Sequence, residues 1–185
     1  MSITIVATVG AATANSYVTE AEYIARAATL PDAPTGTTVT GPTCSEAEKG
    51  WLVEMQRNLT LLPWKAGRVS STQALAWPRL YAEDPDAPSL LGIVGATDFW
   101  FEETEIPQRV KDAQIDGALI CYAAGKNVFA TADKTQGVIE ETLDVLTTRW
   151  QPYQRATGMA KYPRIVALIA PLLNAGSGAL RVVRV

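Results

Sequence analysis

Two short blocks interleave aromatic rings with cations: Trp64-Lys65-Ala66-Gly67-Arg68 and Trp77-Pro78-Arg79. An indole can stack on a base while a neighbouring cation holds a phosphate, which is the chemistry of a single-stranded nucleic-acid binder. The same residues can instead close a core between helices, with the tryptophans inside and the cations facing water. An acidic chain favours that second arrangement. Carboxylates cluster at Glu83, Asp84 and Asp86 and again at Glu102, Glu103 and Glu105. Neither group has the glycine and distal glutamate of a calcium loop, so both read as solvated surface. Ser70-Ser71-Thr72 has no base to activate it, because the chain contains no histidine. That absence removes Ser-His-Asp and Cys-His catalysis, His-ligated zinc and histidine pH switching. No Walker-type phosphate loop occurs, and Gly92-Ile93-Val94-Gly95 is too sparse for a dinucleotide fingerprint. The expectation is a protein that is not an enzyme, with no catalytic residue, no cofactor and no metal.

The chain has 185 residues, 48% of them hydrophobic and 19% charged, enough for one domain with a core of its own. Cys44 and Cys121 lie far apart and form no metal-spaced pair, and a reduced, intracellular protein is expected. The apolar start lacks a basic residue and is too short to span a bilayer, so neither signal peptide nor membrane contact is expected. The net charge of −3 hides a division. Residues 149–185 carry six basic side chains (Arg149, Arg155, Lys161, Arg164, Arg181, Arg184) and no acidic one, a charge of +6. Residues 1–148 hold ten basic and nineteen acidic residues, a charge of −9. Such a bipolar chain suits an acidic partner surface for its C-terminal end: nucleic acid, another protein or a neighbouring copy.

Several helices must position these groups. Thr19-Glu20-Ala21-Glu22 and Ser45-Glu46-Ala47-Glu48 are capping boxes, and they predict helices from there to about Thr29 and to Pro63. In the second, Ala47, Trp51, Leu52, Met55, Leu59 and Leu62 repeat at helical spacing. Residues 31–43 read as a Pro/Gly/Thr-rich loop with a short extended piece near 37–40, and 90–99 could carry a short strand. Gln73 to Pro78 reads as one turn of helix. Ile106-Pro107 opens the longest helix, with Val110, Ala113, Gly117, Ala118, Cys121, Tyr122, Gly125 and Val128 in phase. Its small residues would let another helix approach closely. Residues 138–150 fit a strand pair or a helix. Tyr162-Pro163 starts a last helix bearing Ile165, Leu168, Ile169, Leu172 and Leu173. Beyond a flexible Ala-Gly-Ser-Gly stop, Leu180, Arg181, Val182, Val183, Arg184 and Val185 form a basic, apolar arm that would expose several Val and Leu unless it docks.

These motifs occur in a familiar order: Asn15-Ser16-Tyr17-Val18, then Ser71-Thr72-Gln73-Ala74-Leu75-Ala76-Trp77-Pro78-Arg79, then Ile106-Pro107-x-x-Val110-Lys111-x-Ala113, then Tyr162-Pro163. Over about residues 14–175 the chain resembles tailed-bacteriophage head–tail connector (adaptor) proteins, often labelled DnaT-like single-stranded-DNA-binding proteins. It departs in a longer 31–43 loop and a more acidic 80–105 stretch. The resemblance implies a mainly α fold, a bundle of about four helices with a small β-hairpin extension near 136–153 and an extended C-terminal arm. All of it is one domain: 1–14 an N-terminal extension, 15–175 the helical core, 176–185 the arm. It implies a homo-oligomeric ring of about twelve copies in the virion neck. The ring assembles in the host cytoplasm, docks below the portal protein, and passes genomic double-stranded DNA without sequence specificity. It meets a head-completion (stopper) or tail-completion protein on its other side. In that picture residues 180–185 grip the portal or a neighbour. Val138, Glu140, Thr142, Arg149 and Trp150 contact neighbours or line the channel, and Trp51, Trp64, Trp77 and Tyr122 anchor the core. The alternative is a DnaT-like single-stranded-DNA-binding replication accessory.

Overall fold

The computed structural model describes residues 2–29, 43–87, 99–129, 140–143, 146–149 and 158–174. The fold is mainly α. Four helices, α1 (Glu20–Thr29), α2 (Glu46–Thr60), α3 (Gln108–Ala124) and α4 (Pro163–Ile169), are joined by a two-residue ladder of β1 (Gly67–Arg68) with β2 (Arg79–Leu80) and a hairpin of β3 (Glu140–Leu143) with β4 (Leu146–Arg149).

Both capping boxes form. The Thr19 amide donates to the Glu22 carboxylate at 2.7 Å and the Glu22 amide returns to Thr19 Oγ1 at 3.2 Å. Ser45 and Glu48 repeat the exchange at 2.7 and 3.3 Å. Each pair satisfies amides that would otherwise lack a partner in the first turn.

Helices α2 and α3 form the central contact, because Leu52, Met55 and Leu59 meet a face of α3 built from small residues. A Cβ added at Gly117 would lie 2.5 Å from Met55 Sδ and 2.9 Å from its Cγ, so only glycine permits this approach. On α3 the buried Asp116 receives Arg26 from α1 at 3.0 Å and Arg164 from α4 at 3.1 Å. Arg26 also reaches Asp112 at 3.0 Å. Gln114 is fully buried and accepts from the Tyr17 amide at 2.9 Å. It donates to Ser16 Oγ at 3.0 Å and to the Leu52 carbonyl at 2.8 Å. One side chain thereby ties the N-terminal segment to two helices.

Several expectations are corrected. In α2, Ala47 faces water and Glu48 is buried, because Glu48 folds back on its cap and lies 3.5 Å from the Tyr23 hydroxyl. Gln73 to Pro78 contains no helical turn. Instead the Gln73 side chain accepts from the Ser70 amide and donates to the carbonyls of Leu75 and Pro78, replacing the bonds a helix would make. Pro107 precedes α3 as its cap rather than lying in its first turn, and Gly125, at φ +62°, stops the helix short of Val128. The last helix is shorter than its apolar spacing suggests. Pro171 breaks it into a 3₁₀ turn at Ala170–Leu172, which still buries Leu172. Residues 2–18, which include the N-terminal extension, carry bonds of their own. The Ile3 amide donates to Glu46 at 2.6 Å, and Asn15 binds the Val6 amide and the Thr4 carbonyl, both at 2.8 Å.

The stretch read as either strand or helix forms strands, as the resemblance implied. Glu140 pairs with Arg149 and Leu143 with Leu146. The extended piece near 37–40, the strand within 90–98 and the arm at 176–185 lie outside the described residues.

Candidate docking surface

Trp64 and Trp77, the rings that could have stacked bases, are 4% and 1% exposed. They meet edge to face at 5.8 Å and 84°, and Trp77 meets Phe101 the same way at 5.8 Å. Trp64 Nε1 donates to the Leu59 carbonyl at 2.8 Å, whereas Trp77 Nε1 is a buried donor with no acceptor. The adjoining cation is equally committed. Arg79 donates from Nε to the Lys65 carbonyl at 2.6 Å, from Nη1 to the Ala76 carbonyl at 2.9 Å and from Nη2 to the Ala66 carbonyl. Burial, with Arg68 nearby, pulls its pKa down. These residues close a core and bind their own backbone; they offer no base platform.

A second aromatic pair faces water. Tyr81 is 71% and Trp100 47% exposed, and they meet edge to face at 6.2 Å. Tyr81 has φ +54°, a left-handed conformation that turns its side chain away from the body just past β2. Trp100, Phe99, Pro85 and Pro171 help line a groove of about 510 Å³ whose polar residues are Lys65, Glu83 and Asp84. The groove wall is a short antiparallel contact: the Asp84 amide donates to the Phe99 carbonyl at 2.8 Å and the Phe101 amide to the Ala82 carbonyl at 2.9 Å. Glu83 and Trp100 face each other between these bonds. In that register their own N–H and C=O groups point outward, and among the described residues none finds a partner.

Arg109 at the start of α3 pins the loop, donating to both Asp86 oxygens at 2.8 and 2.6 Å. Those hydrogen bonds hold the Asp86 carboxyl below its usual range and the Arg109 guanidinium above its own. Among the described residues, no group of three or more Asp, Glu or Cys side chains could hold a metal ion, and no helix is long and apolar enough to cross a membrane.

Of the proposed core anchors, Trp64 and Trp77 are fully enclosed, while Trp51 and Tyr122 are half-buried. Of the proposed contact residues, Glu140, Thr142 and Arg149 lie in the hairpin. Val138 and Trp150 lie outside the described residues, as do Leu180, Arg181, Val182, Val183, Arg184 and Val185. The exposed Tyr81–Trp100 surface was missed by sequence reasoning. Its signal was the aromatic run Phe99-Trp100-Phe101, set between acidic stretches with no helical period to bury it.

Across its whole length, residues 1–185, the chain matches the family described as "Putative DnaT-like ssDNA binding protein". The chain belongs to that family. No curated protein and no solved structure matches it. For a member of a family so described, the burial of Trp64 and Trp77 is informative: the most exposed aromatics among the described residues, Tyr81 and Trp100, stand beside carboxylates, which repel phosphate.

Proposed function

We propose that this protein is a structural assembly subunit, a head-to-tail adaptor of a tailed-phage virion that forms a ring below the portal. It extends the DNA channel and passes the head on to the next neck or tail component. The observation that carries the reading is the enclosure of Trp64 and Trp77 with Arg79 spent on three carbonyls. It removes the best-placed nucleic-acid surface and leaves an acidic body with an exposed aromatic edge. Such a patch suits contact with protein. The ordered motifs shared with connector proteins and the −9/+6 division of charge support the same reading. The basic C-terminal arm then grips the portal or a neighbouring copy, and the hairpin borders neighbours or the channel. The test is co-assembly. Full-length protein mixed with portal should give ring-shaped class averages in negative stain, and deleting residues 177–185 should abolish joining while the circular dichroism spectrum is unchanged. Normal joining by the deleted chain would defeat the arm's role.

The family description favours a second reading, a single-stranded-DNA-binding accessory. It requires affinity for an oligonucleotide that falls steeply with salt. Anisotropy titrations at low and at physiological salt separate the two, and the adaptor reading expects no sequence-independent single-strand binding at physiological salt.

A further inference from the structure

We infer that the groove beside Trp100 is the receptor for the basic arm of a second copy of this chain, residues 180–185. This rests on the assembly reading for its use, though not for its chemistry. Three features of the groove specify an occupant. Its lining offers the aromatic rings of Phe99 and the exposed Trp100, with Tyr81 against the Trp100 ring. Its acidic side is Glu83 and Asp84, and exposed Glu102 and Glu103 follow directly along the chain. Its wall presents backbone groups of Glu83 and Trp100 that have no partner among the described residues, an edge to which an extended segment can add. The occupant must therefore be extended, branched-apolar and cationic.

Leu180-Arg181-Val182-Val183-Arg184-Val185 has that composition, with β-branched valines suited to an added strand and two arginines without a carboxylate among them. The described chain ends beside the groove. Asn174 donates its amide to the Pro63 carbonyl at 2.9 Å and its side chain to the Trp64 carbonyl at 3.1 Å, three residues after Pro171 of the groove lining. Ala175-Gly176-Ser177-Gly178 follows Asn174 in the sequence and leads to the arm. Arm and groove on one molecule make a head-to-tail contact, which closes into a ring when the rotation per subunit permits.

The test uses full-length protein without portal in sedimentation velocity over a range of concentrations. The wild type should self-associate, and more weakly as salt rises. Trp100→Ala and, separately, Arg181→Glu with Arg184→Glu should each weaken association about tenfold or more, as loss of a central anchor does. Their melting temperatures should stay at the wild-type value. Mixing the Arg181→Glu/Arg184→Glu chain with a Glu83→Lys/Asp84→Lys chain should restore association between the two. A wild type monomeric at every concentration overturns the proposal, as does association unaffected by these changes. Monomers in which the arm substitutions alter Trp100 fluorescence would also overturn it, by placing the arm in the groove of its own chain. Failure of the portal to bind while this self-association persists would sink the adaptor role alone.

Discussion

Trp77 and Trp100 each sit in an edge-to-face aromatic contact of similar geometry, 5.8 Å and 84° for one, 6.2 Å and 83° for the other. One is enclosed and the other is open to water. The enclosed ring is held by packing on every side, well enough to tolerate an indole N–H without an acceptor. The open ring has a neighbour on one edge and solvent on its faces. Ring geometry alone does not say whether a tryptophan stabilises a fold or recognises a partner; what covers it does.

The largest test of this contrast is truncation. Trp77→Ala should destabilise by about 3–5 kcal/mol in urea unfolding, the cost of an emptied core site, while Trp100→Ala should stay within about 0.5 kcal/mol. Comparable losses at both positions would mean that Trp100 belongs to the core.

A single methyl group probes the same difference. Gly117→Ala pushes a Cβ into Met55 and should cost about 1–3 kcal/mol. At Gly67 an added Cβ meets nothing within 4 Å, and Gly67→Ala should leave the urea midpoint nearly unchanged.

The smaller comparison is between the enclosed tryptophans themselves. Trp64→Phe removes the 2.8 Å bond to the Leu59 carbonyl, which keeps only the longer one from the Leu62 amide at 3.2 Å, whereas Trp77→Phe removes a donor that had no acceptor. Trp64→Phe should therefore be the costlier of the two, by about 1 kcal/mol.

Acid sharpens the picture at the rim. Burial pushes the Glu22 carboxyl up, but hydrogen bonds from Lys111 and Thr19 outweigh it and leave its pKa lowered. Asp86 is lowered by its bond from Arg109. A carboxylate with a depressed folded pKa stabilises above its unfolded pKa, and the contribution is lost as pH falls through the folded value. Urea midpoints should begin to fall below about pH 4.5 and continue down, with no step between pH 6 and 7, because no histidine is present to titrate. Asp86→Asn should shrink that acid loss slightly, and a histidine-like step near neutrality would contradict it.

The legible parts of this fold are those governed by local chemistry. Thr19 with Glu22 and Ser45 with Glu48 announce their helices because a capping box lies within one turn. Pro163 marks a helix start by backbone geometry alone, whereas Gly125, read in phase with the helix, ends it. The small face of α3 predicted a close helix approach, and Gly117 against Met55 is that contact. Periodicity misreads polar residues that are buried because a distant partner satisfies them. Glu48 and Gln114 look like surface in sequence, since their partners Tyr23, Ser16, Tyr17 and Leu52 lie 25 to 98 positions away. Gln73 was hidden differently: its side chain imitates backbone bonding, so its loop resembled a helical turn. The tryptophan blocks left packing and base stacking open because both demand the same residues, and only burial separates them. The exposed Trp100 surface left only the aromatic run Phe99-Trp100-Phe101 to read, because an edge made by two segments seventeen positions apart, at Glu83 and Trp100, leaves no period.

Gln114 also imposes an order in time. Ser16 and Tyr17 leave the ribosome early, but the side chain that receives them lies 98 and 97 positions later. Until α3 has been synthesised, the Tyr17 amide lacks its Gln114 acceptor and α2 lacks the helix it packs against, so a growing chain can form α1 and α2 yet cannot lock them to the segment at 16–17. Ser16 and Tyr17 are thus made early and receive this partner late. A ribosome-stalled chain ending before Gln114 should leave residues 14–18 open to protease, and one extended past α3 should protect them.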